Sequence, residues 1–175
     1  EGYRPAKEDE LTTSPKTGVA QEELTALAVA MNTLPDGPKF FRKVKKLMND
    51  RLAMIERDQF DWAMGEMLAY ASLLTEGHPV RLSGQDVERG TFSHRHAVVK
   101  TEDAEEELIL LNTLKQGQSN MAVYNSHLSE YAVSGFEYGY AFANPDGLTI
   151  WEAQFGDFNN GAQIMWDQFL SAGED

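Results

Sequence analysis

No cysteine occurs in the 175 residues, which excludes disulfides and any thiolate-held metal. The absence fits a reducing, cytoplasmic setting. Long apolar runs are missing as well. None approaches the roughly 20 residues a membrane-crossing helix needs, and no charged start leads into an apolar h-region, so no membrane role is expected. Positive charge is scarce, with 15 Lys and Arg against 28 Asp and Glu and a net charge of -13. Nucleic-acid phosphate is therefore not the expected partner, since its recognition rests on clustered cations. The short signatures G-x-G-x-x-G, the Walker loop, G-x-S-x-G and H-E-x-x-H do not occur either.

What is present suffices for one core, at 42% hydrophobic content. Residues 1–18, with Pro5, Pro15 and many charges, have no period and read as a linker or arm. Residues 19–60 read as a helical linking region. Leu24, Leu27, Ala28 and Met31 repeat at helical spacing, and Leu34 to Pro38 stops that helix. A second helix spans about Lys39 to Arg57, with Phe40, Val44, Leu47, Met48, Leu52 and Ile55 on its apolar face. Its cations Lys39, Arg42, Lys43, Lys45, Lys46 and Arg51 read as a solvated face. Asp61 is placed to cap a third helix, Trp62 to Thr75, which is expected to bury Trp62, Met67, Leu68, Ala71 and Leu74 and to end at Gly77.

From His78 onward the pattern alternates. His78 to Leu82, Met121 to Tyr124 and Leu148 to Trp151 read as strands, with helices at 129–143 and about 158–171. Ser126 or Ser129 can cap the first of these helices, and Gly135, Gly139 and Ala143 leave one of its stripes bare. The acidic run Glu102 to Glu107 reads as surface or insertion, and Leu108 to Leu111 as a short buried element. The fold class is α/β, a parallel sheet flanked by helices. In such sheets sites form beyond the carboxyl ends of the strands. Ser83 to Asp86, Asn125 to Glu130 and Gln154 to Phe158 should therefore share one edge, with the loop Gly90 to His96 within reach.

Each candidate on that edge has a plain structural reading beside a chemical one. Glu130 in a first helical turn is stabilised by the macrodipole whether or not it acts on a ligand. His94 and His96 form an H-x-H pair, but a metal site needs further ligands, and only His78 and His127 remain among the histidines, so no metal site is expected. Phe155 and Phe158 read as core by default, and Gly84-Gln85-Asp86 as an ordinary turn.

Longer strings carry a resemblance. Val80 to His96 (VRLSGQDVERGTFSHRH), Leu128-Ser129-Glu130-Tyr131, Ile150 to Phe158 (IWEAQFGDF) and Asn160-Gly161-Ala162-Gln163 closely resemble the thiamine-diphosphate-dependent decarboxylating component of 2-oxoglutarate dehydrogenase complexes. The resemblance runs from about Asp61 to the end, and more loosely upstream from Pro35 to Arg57. It implies a three-layer, transketolase-like pyrimidine-binding domain, of which 61–175 would be the first half. It also implies the tricarboxylic acid cycle reaction, decarboxylation of 2-oxoglutarate with transfer of the succinyl group to the lipoyl arm of an acyltransferase component. A 2-oxoadipate-type or non-oxidative thiamine decarboxylase and a non-catalytic assembly module are the alternatives.

The same resemblance assigns roles. Glu130 would hydrogen-bond the far ring nitrogen of the aminopyrimidine and favour the imino form of its amino group. Phe158 would stack on that ring with Phe155 beside it, and Gln85 would contact the cofactor. His96, and less directly His94, would face the substrate carboxylate or move a proton. Nothing matches the Gly-Asp-Gly segment and later Asn that hold magnesium and diphosphate in such enzymes, so a domain absent from this chain would supply them. The chain is therefore expected to be a fragment, inactive alone, of an enzyme that works as a homodimer.

Overall fold

The computed structural model describes residues 7–173. The first six residues of the expected arm, and Glu174 and Asp175, lie outside the described residues. Residues 7–18 are exposed and contain one short 3-10 turn, Glu10–Thr12. Three helices follow: α1 (Gln21–Met31), α2 (Arg42–Glu56) and α3 (Trp62–Glu76). At the start of α3, Asp61 Oδ1 accepts a hydrogen bond from Met64 N at 2.8 Å. A cap of this kind contributes about 1 kcal/mol. Gly77 closes the helix as expected. Trp62 departs from expectation, being 94% exposed. As the first residue of α3 it projects back past the helix start, while Ala63, Met64 and Met67 turn into the core.

The central strand is β1 (Val80–Gly84). After it come a two-residue pair, β2 (Val99–Lys100) and β3 (Glu107–Leu108), then β4 (Met121–Asn125), α4 (Glu130–Ala143) and β5 (Leu148–Glu152). β1 lies between β4 and β5 and is parallel to both. Gly84 stands opposite Asn125 and Glu152, so the three strands end level. β1 begins two residues later than expected. Pro79 has no amide to donate, and its carbonyl instead accepts from Leu148 N at 2.9 Å.

Alternation along β1 builds the layers. Val80 and Leu82 face a core shared with Leu27, Ala28 and Met31 of α1 and Met64, Leu68, Ala71 and Leu74 of α3. Met64, Leu74, Leu82 and Leu111 are fully buried, and each such side chain contributes roughly 1.5–3 kcal/mol. Arg81 faces the opposite side and meets α4, where Glu137 accepts from its Nε and Nη2 at 2.7 and 2.9 Å. Its guanidinium also lies 4.6 Å from the ring centres of Tyr124 and Tyr140. Helices thus flank a parallel sheet in three layers.

A second cluster joins Phe40, Val44 and Met48 to Val99 and Leu110. The helical region before residue 61 and the sheet region after it therefore share cores. β2 and β3 pair antiparallel, and the acidic run forms the exposed turn between them. Leu110 and Leu111 are buried, as expected of that short element.

Two further expectations need correction. The segment expected as one helix at about 158–171 is a run of changing pitch, 3-10 over Gly156–Ala162, one α turn at Gln163–Met165 and a π turn at Trp166–Leu170. Gly156, Asn159, Asn160 and Gly161 are poor helix formers, which accounts for the tight, irregular start. The basic face of α2 is solvated at Lys39, Arg42, Lys43, Lys45 and Lys46, but Arg51 is only 2% exposed. Among the described residues no helix is long and apolar enough to cross a membrane.

Candidate active site

The loops after the three strands are tied to one another. Ser126 N donates to Gly84 O at 2.7 Å, and Gln85 Nε2 donates to Leu128 O at 3.1 Å. Glu88 N donates to Asn125 Oδ1 at 3.1 Å, and Thr91 Oγ1 to Gln154 O at 3.1 Å. The rings of Phe92, Phe155 and Phe158 follow one another with centres 6.4 and 6.1 Å apart. Gly84 permits this convergence. At φ +151°, a Cβ there would stand 2.0 Å from the backbone oxygen of Glu152. The edge expected from the strand order thus exists as a connected surface.

Glu130 opens α4 and is half-buried. Its carboxylate lies in the field of the helix N-terminus and packs beside Gly161, in the 3-10 segment that also carries Phe158. Ser129 occupies the cap position without a side-chain bond, whereas Ser126 Oγ accepts from Leu128 N at 3.1 Å. The serine that organises this turn is thus the one further from the helix. Phe155 and Phe158 are 46% and 44% exposed, so they are surface rings and not core. The bare stripe on α4 is partly filled, because Met165 lies against Gly135, while Gly139 is open.

The histidine loop is held in an unusual backbone shape. Phe92, Ser93 and His96 have φ of 59°, 60° and 48°, and a non-glycine residue in that region costs on the order of 1–3 kcal/mol. His94 is exposed, and its Nδ1 donates to Thr91 O at 2.8 Å, which leaves Nε2 as the acceptor in the neutral ring. His96 is half-buried. Burial first, then the charges of Arg51, Arg89 and His94, holds its pKa below the ordinary histidine value. His78 lies before β1, at the end of that strand opposite the site loops, its Nδ1 2.9 Å from Asp146 O. Among the described residues no group of three or more His, Asp or Glu is arranged to hold a metal ion.

Arg95, between the two histidines, was not singled out from sequence. It is 1% exposed, and its guanidinium pairs with Glu66 of α3 (Nε to Oε1, 2.5 Å) and with Glu152 at the end of β5 (Nη1 to Oε1, 3.0 Å). Nη1 also donates to Val87 O at 3.0 Å. Burial disfavours its charge, but the bonds to Glu152 and Glu66 more than offset that and raise its pKa. Tyr70 donates to Glu66 Oε1 at 3.0 Å, and burial pushes its phenol pKa upward.

These features bear on what the edge can hold. A pyrimidine ring requires a flat apolar contact and partners for its polar rim. The exposed Phe155 and Phe158, the half-buried Glu130 carboxylate and Gln85 Oε1, which is buried without a hydrogen-bond partner among the described residues, are groups of that kind on one surface. The residues present fit such a ring. Residues 58–174 match the family described as transketolase, pyrimidine binding domain, and the chain belongs to that family. Over 161 residues it is 48% identical to "2-oxoglutarate dehydrogenase, mitochondrial" of Caenorhabditis elegans. Over 160 residues it is 47% identical to the "2-oxoglutarate dehydrogenase E1 component" of Brucella ovis and of Brucella canis. These alignments take in 91% of this chain, which spans 16% of the length of those relatives.

Proposed function

We propose that this chain is the pyrimidine-binding part of a thiamine-diphosphate-dependent 2-oxoglutarate dehydrogenase component, which decarboxylates 2-oxoglutarate and passes the succinyl group to a lipoyl arm in the tricarboxylic acid cycle. The observation that carries the reading is the place of Glu130: a half-buried carboxylate in the first turn of α4, on the strand-end edge that bears Gln85, Phe155 and Phe158. When bound, thiamine diphosphate would supply a carbon nucleophile and an electron sink for the loss of carbon dioxide.

The chain's residues bind, orient and move protons. Glu130 would hold a proton at its carboxyl oxygen for the far ring nitrogen of the pyrimidine. Phe158 would offer the stacking face, with Phe155 beside it, and Gln85 would meet the polar rim through its amide. His96, held neutral, accepts or returns a proton near the substrate, and His94, as the imidazolium, would donate from Nε2 to a substrate carboxylate. Magnesium and the diphosphate are assigned to a part of the parent enzyme outside these residues, so the isolated chain is expected to bind the cofactor weakly and to turn over no substrate. A homodimeric, cytoplasmic parent with an acyltransferase partner completes the proposal.

The test uses the full-length enzyme with 2-oxoglutarate or 2-oxoadipate, with and without the lipoyl acyltransferase. Lipoyl-dependent turnover that prefers 2-oxoglutarate supports the reading. Preference for the longer acid, turnover independent of the lipoyl arm, or no turnover at all contradicts it and points to the related decarboxylases or to an assembly module.

A further inference from the structure

We propose that Arg51, which precedes the family-matched region, is the positioning residue of the histidine loop: its grip on the backbone at His94 and Arg95 sets the direction of His94 and His96 toward the bound 2-oxo acid. The proposal rests on the assignment of these histidines to the substrate side. Arg51 sits on the basic face of α2, yet it is buried, and its Nη2 donates to His94 O at 2.9 Å and to Arg95 O at 2.6 Å. A buried guanidinium is costly unless its protons are satisfied. Here two of them meet consecutive carbonyls, and holding both holds the two peptide planes on either side of the Arg95 Cα, His94–Arg95 and Arg95–His96. His94 precedes the first plane, and His96 follows the second.

The loop is gripped independently from its side chain. Arg95 reaches inward to Glu66, Glu152 and Val87 O, while the amides of Arg95 and His96 donate to Arg89 O at 3.0 and 2.8 Å. Left-handed backbone at Phe92, Ser93 and His96 persists only where the surroundings over-determine it. Arg51 supplies the constraint that comes from outside the loop and outside the matched region, which begins at residue 58. Its charge also faces His96 from α2, as Arg89 and His94 do from the loop itself, and all three disfavour the imidazolium. Geometry and charge therefore act on the same ring.

The experiment compares Arg51→Met and Arg51→Lys with wild type in the full-length enzyme. It reads hydrogen exchange of the amides between residues 88 and 98, and kcat and KM for 2-oxoglutarate across the histidine titration range. Arg51→Met is expected to speed exchange at Arg95 and His96 by about tenfold and to lower kcat by roughly 10- to 100-fold. Its acidic limb should move to higher pH, because one cause of the lowered His96 pKa is gone. Arg51→Lys keeps the charge, but its Nζ ends one bond short of the Nη2 position that meets both carbonyls, so exchange should rise and kcat fall with the acidic limb in place. Wild-type exchange and an unmoved limb in Arg51→Met overturn the proposal. If that variant does not fold, wild-type exchange in Arg51→Lys overturns it. Should the parent lack 2-oxo acid turnover, the functional reading fails through the kinetics, while exchange still judges the grip of Arg51.

Discussion

Gly161 lies against the carboxylate of Glu130: a methyl group at position 161 would stand 3.5 Å from Glu130 Oε2 and 3.5 Å from its Cβ. The contact joins the first turn of α4 to the segment bearing Phe158, so the proposed acid and the proposed stacking ring are parts of one packed unit. Gly161→Ala is expected to be accommodated, since that separation is ordinary van der Waals contact. Gly161→Val would crowd the carboxylate. Titration of the full-length enzyme with thiamine diphosphate should show weaker binding for valine and near-normal binding for alanine, at similar melting temperatures.

Gly84 is the tightest point of the sheet. With φ at +151° and the backbone oxygen of Glu152 only 2.0 Å from where a Cβ would be, Gly84→Ala must part β1 from β5 at the end that forms the site. A loss of at least about 3 kcal/mol is expected. Denaturant unfolding measures it, and a loss below about 1 kcal/mol would contradict the close approach.

Arg95 bridges two carboxylates at the back of the histidine loop. Arg95→Met leaves Glu66 and Glu152 facing each other without a cation, and removing one side of a buried ion pair costs about 3–5 kcal/mol. Adding Glu66→Gln and Glu152→Gln to the same protein should recover part of that loss. Unfolding midpoints of the single and triple variants decide the matter.

Stability should also respond to pH through His96. Its folded pKa lies below the unfolded value, so between the two the unfolded chain binds more protons. Stability is thus lost as pH falls through the unfolded value toward the folded one, and no further loss from this group occurs below that. His96→Gln should flatten this slope. Urea unfolding at a series of pH values checks it, and an unchanged slope would remove the burial argument.

The strand-end edge was legible because it depends on local patterns: apolar strands, turn residues after each, and a helix opened by an acid. The central position of β1 came only with pairing, since sequence order does not state which strand lies between the others. Periodicity placed Arg51 on a basic face, but it could not distinguish the one cation that finds two carbonyls and becomes buried. Trp62 fits the apolar period of α3 but stands at the helix mouth, which lacks the surroundings that later turns have. In the closing segment the apolar spacing is helical, but Gly156, Asn159, Asn160 and Gly161 oppose a regular helix at its start. Arg95 was overlooked between two more conspicuous histidines, and its partners Glu66 and Glu152 come from elements distant along the chain.

Glu130→Ala in the full-length enzyme is the most direct measurement, with turnover of 2-oxoglutarate read beside the melting temperature. A positioned acid or base contributes roughly 10²–10⁴-fold, so turnover should fall by that order while melting stays near wild type. Undiminished turnover would contradict the role given to this carboxylate.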